Sequence, residues 1–210
     1  LIKHITSFNK PIIMSTGMQS IDTLKASVEV LRKSEAGFAL LECTNLYPSP
    51  AEIVSLRGIR ELNEAFPDAI IGFSDHSIGP SMALASVGLG ATIIERHFTD
   101  SRYRLGPDII CSMDPSELRF LIDRSKEIST ALRNPKRRTQ SEEDVYAFAR
   151  GSVVANRKII AGQVITEDDI WARRPGTGEI SVADFYKVVG MKAKVDLMFN
   201  DQLKWDFLDV

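Results

Sequence analysis

Three histidines occur in this chain, and two of them sit where imidazoles do chemistry. His76 closes the segment Ala69-Ile70-Ile71-Gly72-Phe73-Ser74-Asp75-His76. His97 closes Ala91-Thr92-Ile93-Ile94-Glu95-Arg96-His97. Each apolar run is too short for an ordinary helix and suits a buried parallel strand. The intervening stretch, 80–89, is small and apolar, as befits a helix packed on a sheet. A strand-helix-strand unit of this kind brings both histidines to the carboxyl ends of neighbouring strands, the end at which (β/α) folds collect ligands and catalytic groups. Imidazoles at that end are candidates for chemistry. The plain alternative is one histidine hydrogen-bonded in the core and one on the surface.

The elements that must hold these residues follow the same rule along the chain. Ile12-Ile13-Met14 is a short strand ending in Ser15-Thr16-Gly17-Met18. Ser20 is placed to cap a helix over 21–34, with Leu24, Val28 and Leu31 on one face. Residues 38–43 form the next strand, ending in Thr44-Asn45-Leu46-Tyr47-Pro48, and a helix over 54–66 follows. Beyond the second histidine lies a loop, 99–113, and then a helix to about residue 133, with Asp114 as N-cap and Pro115 in its first turn. That makes four strand-helix units in an α/β domain over 1–134. A closed (β/α)8 TIM barrel needs eight, and four strands alone leave two apolar edges unpaired. The expectation is a half barrel, its complement being either a missing first half of the sequence or another chain. A start at Leu1 rather than Met favours the former.

The segment 135–150 is basic over 134–138 and then polar through Ser141-Glu142-Glu143-Asp144, and reads as a solvated linker. A phosphate-binding patch is the alternative. From 151 to 210 the chain changes character: Ser152-Val153-Val154-Ala155 is a strand, Gly162 marks a turn, Thr166 caps a one-turn helix, and a second capped turn begins at Ser181. Short strands and single-turn helices make a small, mostly β domain. A formal net charge of -2 gives no reason to expect nucleic acid or an anionic membrane as partner. No apolar run approaches the ~20 residues that span a bilayer. Cys43 and Cys111 stand apart with no Cys-x-x-Cys spacing, which points to reduced thiols in a cytoplasmic protein rather than a disulfide or a structural zinc site.

Taken together, Ser15-Thr16-Gly17-Met18, Cys43-Thr44-Asn45-Leu46-Tyr47-Pro48, Gly72-Phe73-Ser74-Asp75-His76, Glu95-Arg96-His97-Phe98-Thr99 and Gly106-Pro107-Asp108 stand in the order and spacing of the sialic acid synthases. The tail, with Ser152-Val153-Val154-Ala155 and Arg174-Pro175-Gly176, resembles the antifreeze-like SAF domain (a β-clip) that follows the barrel in that family. The wording Gly106-Pro107-Asp108-Ile109 and Cys111-Ser112-Met113 is most similar to bacterial N-acetylneuraminate synthases, and less so to the enzymes making legionaminic or pseudaminic acid. The resemblance implies the C-terminal half of the TIM barrel followed by the SAF domain. It further implies a transferase that condenses phosphoenolpyruvate with N-acetylmannosamine, for a surface polysaccharide. His76 and His97 match the family's ligands for a divalent metal, Mn2+ foremost, with Mg2+ or Co2+ as alternatives. Water and substrate oxygens would complete the shell.

By the same resemblance Ser15, Asn45 and Ser74 match positions that bind the phosphate and carboxylate of phosphoenolpyruvate, though serines there also serve as helix or turn caps. Tyr47 and Asp108 match positions that hold the sugar hydroxyls; Asp108 is otherwise a turn residue after Gly106-Pro107. Glu95 lines the same pocket, or partners Arg96, or orients a histidine. Phe148 and Arg174 match residues that approach the N-acetyl group from a partner subunit, which implies a domain-swapped homodimer with composite sites. Their plain readings are core filler and solvated surface. The family's lysines for the anion and its acid/base glutamate belong to earlier strands, so this chain alone is expected to be inactive. A non-catalytic carbohydrate- or ice-binding module is the rival from another class, opposed by the charge of Arg173, Arg174, Glu167, Asp168 and Asp169.

Overall fold

Alternation along four short strands decides where each side chain goes, and therefore which residues meet at the site. The computed structural model describes residues 1–209. Strands β1 (Ile12–Ser15), β2 (Phe38–Cys43), β3 (Ile70–Asp75) and β4 (Ile93–Arg96) form one parallel sheet in the order β1-β2-β3-β4. The register pairs Ser15 with Leu41, Cys43 with Ser74, Ser74 with Glu95, and Asp75 with Arg96. The strands run further than the apolar runs suggest: Ser74-Asp75 and Glu95-Arg96 are paired inside β3 and β4 rather than lying beyond them.

Helices α2 (Ile21–Leu31), α3 (Gly58–Ala65), α4 (Ser81–Gly88) and α5 (Pro115–Leu132) alternate with the strands, after a short opening helix α1 (Ile2–Thr6). Ser20 caps α2 through its side chain, and Asp114 and Glu117 form a reciprocal capping box on α5, with Pro115 in its first turn. The third helix starts later than the expected 54, because Val54 and Leu56 continue the apolar period without being helical, while the Ser55 hydroxyl accepts from Gly58 N at 3.3 Å. The sheet's outer face and the helices share one core: Leu24, Val28 and Leu31 of α2 and Ile59 and Leu62 of α3 pack with Leu40, Ile71 and Phe73. Burying each such side chain stabilises by about 1.5–3 kcal/mol, which fixes the frame that carries the strand ends.

The chain divides into two units, Leu1–Pro135 and Lys136–Val210. In the second, helix α6 (Glu143–Ala149) occupies much of the segment read as a linker, and Gly176 N donates to Ala147 O at 2.8 Å. Strands β5 (Ser152–Ala155) and β6 (Ile170–Arg173) pair antiparallel. Helix α7 (Phe185–Val188) follows, and β7 (Lys192–Ala193) pairs with β8 (Leu208–Asp209). Their shared core contains Val153, Ile159, Ile170, Ile180, Leu197 and Leu203. Gly162 turns with φ +85°, and Thr166 stands at the N-cap of the one-turn helix as expected, in a capping box with Asp169. Both cysteines are free and buried. Among the described residues no helix is long and apolar enough to cross a membrane.

Candidate active site

Past the last paired residue of β3, His76 emerges at the carboxyl end of the sheet and is buried. Its Nδ1 lies 2.9 Å from Thr44 O, the first residue beyond β2. A main-chain carbonyl can only accept, so Nδ1 carries a proton, and in the neutral ring the lone pair is on Nε2. Its own carbonyl accepts from Ser49 N at 2.9 Å. Ser49 Oγ in turn donates to Thr44 O and Leu46 O, at 3.1 and 2.7 Å, folding the Thr44-to-Pro48 turn against the histidine.

His97 follows β4 by the same offset, and its ring centroid stands 5.3 Å from that of His76, with the planes 78° apart. Its Nδ1 faces Asp108 Oδ2 at 3.7 Å, so the Gly106-Pro107-Asp108 turn returns to the histidine. Tyr47 completes the group, its ring 4.1 Å from His76 and 5.5 Å from His97. Partial burial pushes the Tyr47 phenol upward, with the nearby Cys43, Asp108, Cys111 and Glu95 acting in the same direction, so it stays a protonated donor. The plain alternative for the pair, one core and one surface histidine, describes His76's environment but not the convergence of the two rings.

A second row lies along the inward-facing positions of the sheet. Ser15 Oγ donates to Glu95 Oε2 at 3.3 Å across the strands. Cys43 Sγ donates to Asn45 Oδ1 at 2.9 Å. Burial, foremost, keeps the Cys43 thiol above its ordinary range, against a lowering contact with Ser74, while Glu42 and Glu95 reinforce the rise. The space beside Asn45 exists because residue 17 is glycine: a Cβ there would stand 2.0 Å from Asn45 Oδ1. An open groove of about 860 Å³ continues from this row along the β4 edge, lined by Ile13, Ser15, Leu41, Glu95, Phe98 and Met113 among others.

The structure thus brings together His76, His97, Tyr47 and Asp108 in one cluster, and joins Ser15 to Glu95. Asn45 and Ser74 are both in contact with Cys43. Phe148, largely exposed, and Arg174, which precedes Pro175, belong to the second unit. Glu95 does not partner Arg96. The arginine lies on the opposite face of β4, buried against Asp75, with Nε 3.4 Å from Oδ2. Four contributors escaped the sequence reading: the Thr44 carbonyl, Cys43, Asp75 and Arg96. The signal for the last two was the register, since residues one position beyond Ser74 and Glu95 must face each other outside the sheet.

Among the described residues, no three or more His, Cys, Asp or Glu side chains converge to hold a metal ion. Two neutral imidazoles, one with its tautomer fixed, are a ligand pair suited to an exchangeable cation that keeps positions open for water and substrate. This donor set fits such a cation and does not fit a closed structural site.

Residues 1–137 match the NeuB family and residues 150–209 match the SAF domain. The chain is 35% identical over 193 residues to the N,N'-diacetyllegionaminic acid synthase of Campylobacter jejuni, covering 90% of this chain and 57% of that protein. It is 33% identical over 201 residues to the human N-acetylneuraminate-9-phosphate synthase, covering 95% and 56%. The crystal structure of N-acetylneuraminic acid synthetase from Leptospira borgpetersenii is similar with a TM-score of 0.63 and 30% identity, over 69% of this chain and 50% of that one. The chain spans about three-fifths of the length of the curated relatives it matches.

Proposed function

Since the chain belongs to the NeuB family and carries the SAF domain behind it, we propose that it is the C-terminal part of an N-acetylneuraminate synthase. The proposed reaction joins phosphoenolpyruvate, N-acetylmannosamine and water to give N-acetylneuraminate and phosphate. The observation that carries this reading is the pairing of His76 and His97, with Nδ1 of His76 committed to Thr44 O and Nε2 left free. A divalent cation held by the two rings, Mn2+ foremost, supplies Lewis-acid polarisation of the sugar's aldehyde oxygen.

The remaining side chains have roles that follow from their contacts. Asn45 has its Oδ1 occupied by the Cys43 thiol, which turns the amide NH2 outward as a donor for an anion. Ser74, buried beside Cys43, supplies a second hydroxyl on the same face. Ser15 reaches an anion only by turning from Glu95, and the 3.3 Å separation marks that bond as weak. Tyr47 and Asp108 flank the histidines where sugar hydroxyls would lie. Phe148 and Arg174 act from the partner subunit of a homodimer on the sugar's N-acetyl group, in a cytoplasmic enzyme.

A second reading keeps the chemistry and changes the sugar. The relatives include an N,N'-diacetyllegionaminic acid synthase at 35% identity over 90% of the chain, beside the human N-acetylneuraminate-9-phosphate synthase at 33% over 95%, which supports a related nonulosonic acid, legionaminate or pseudaminate, as product. Phosphate release by the full natural protein decides between them, assayed with N-acetylmannosamine and with a diacetylated analogue, each with and without EDTA. Chelator-sensitive release with N-acetylmannosamine is expected. Release only with the analogue selects the second reading, and release unaffected by the chelator removes the metal.

A further inference from the structure

We propose that Arg96, acting with Asp75, is a positioning residue for His76, setting the metal affinity of the site without touching the metal. The inference rests on the reading of His76 as a ligand. Asp75 and Arg96 are register partners on β3 and β4 whose side chains face away from the histidines, and the two side chains are 0% and 2% exposed. From there Arg96 reaches under the turn that follows β3. One terminal nitrogen donates to Ser77 O at 2.7 Å and the other to Gly79 O at 2.6 Å. Asp75 Oδ1 accepts from Ser77 N at 2.8 Å. The residue between Asp75 and Ser77 is His76. Its neighbours on both sides are therefore tied to the same ion pair, while the imidazole is held from the opposite direction by Thr44 O.

Stability is a poor explanation for such a pair. Two fully buried charges lose their hydration, and a well-packed apolar pair would serve the fold as well or better. Asp75 Oδ2 and Arg96 Nε, moreover, make no hydrogen bond at all and face each other at 3.4 Å. What an apolar pair could not do is grip two carbonyls two residues apart. The planar guanidinium fork does this, whereas a lysine offers a single point of donation. Gly79 adopts φ +78°, so the gripped turn has a backbone conformation that needs holding. The clamp fixes where the chain leaves the strand, and hence where the free Nε2 of His76 stands relative to His97.

The test measures Mn2+ binding by electron paramagnetic resonance of the free ion, in the full natural protein. Arg96→Met is expected to raise the Kd about 10- to 100-fold, and Arg96→Lys, which keeps the charge and loses the fork, should lie between it and the parent. In a His76→Ala background, adding Arg96→Met should change the Kd by less than about two-fold, because the arginine acts through that histidine. Parental affinity in Arg96→Met overturns the proposal, as does an equal fold-loss in both backgrounds. Parental affinity in His76→Ala itself means that the ligand reading has failed, and the clamp with it. If Arg96→Met does not fold, Arg96→Lys, which keeps the charge but cannot grip both carbonyls, carries the same test with the same expected direction.

Discussion

Glu42 provides a prediction that depends on no ligand. It lies on the outward face of β2, in a cavity of about 420 Å³ lined by Gln19, Ser20, Asp22, Ser55, Gly58 and Glu61 among others. Its carboxylate presses on α3 so closely that a Cβ on Gly58 would stand 2.4 Å from Oε2. Burial raises its pKa from the usual 4.5 to about 7, opposed by the Cys43 backbone and reinforced by Glu61. A carboxyl whose pKa is raised on folding contributes stability below the unfolded value, near 4.5, and loses that contribution as pH climbs to about 7. The shift corresponds to about 3 kcal/mol at most, reduced where water enters the cavity. Glu42→Gln removes the titration while keeping size and polarity. Urea unfolding followed by far-UV circular dichroism suits the measurement, since both tryptophans, Trp171 and Trp205, lie in the second unit. The variant should match the parent near pH 4.5 and exceed it by about 1–3 kcal/mol at pH 8. A difference between the two proteins that stays constant across that range would refute the reasoning.

Two further outcomes follow from the site and its frame. Gly17→Ala should displace Asn45, whose Oδ1 would be 2.0 Å from the new Cβ; the loss of one bond to a charged ligand predicts a KM for phosphoenolpyruvate raised about 10-fold or more, with an unchanged circular dichroism spectrum, and an unchanged KM would remove Asn45 from the anion site. Asp114→Ala breaks the reciprocal cap on α5 and its contact with Arg102, and should cost about 1 kcal/mol of stability by thermal melting; Asp114→Asn, which still caps, should remain close to the parent.

The parts legible in the sequence were those written in side-chain periodicity and capping chemistry. Ile12-Ile13-Met14 declares a short strand and Leu40-Leu41 a buried one, Ser20 and Asp114 declare helix starts, and the offset of His76 and His97 from their apolar runs put both rings at one end of the sheet. The start of α3 differs from the expectation because Val54 and Leu56 keep the helical period in a segment that has already turned, and the residue before the helix, Arg57, offers no side-chain cap to mark it. What stayed hidden depends on groups that every residue possesses or on register. The Thr44 carbonyl has no signature in residue type. Cys43 acts on Asn45 through a thiol that composition treats as a small apolar group. The Asp75 and Arg96 pairing appears only once β3 and β4 are aligned, since twenty-one positions separate them in the chain.

The acceptor that fixes the His76 tautomer belongs to the peptide backbone, and this has an evolutionary consequence. A carboxylate in that place could be lost by a single base change, and it would alter the ring's basicity as it titrated. A peptide oxygen does neither. The orientation of the ring therefore depends on the main chain of residue 44 and not on its side chain. Drift in this chain should accordingly reach the identity of residue 44 long before it reaches the ligand that residue orients.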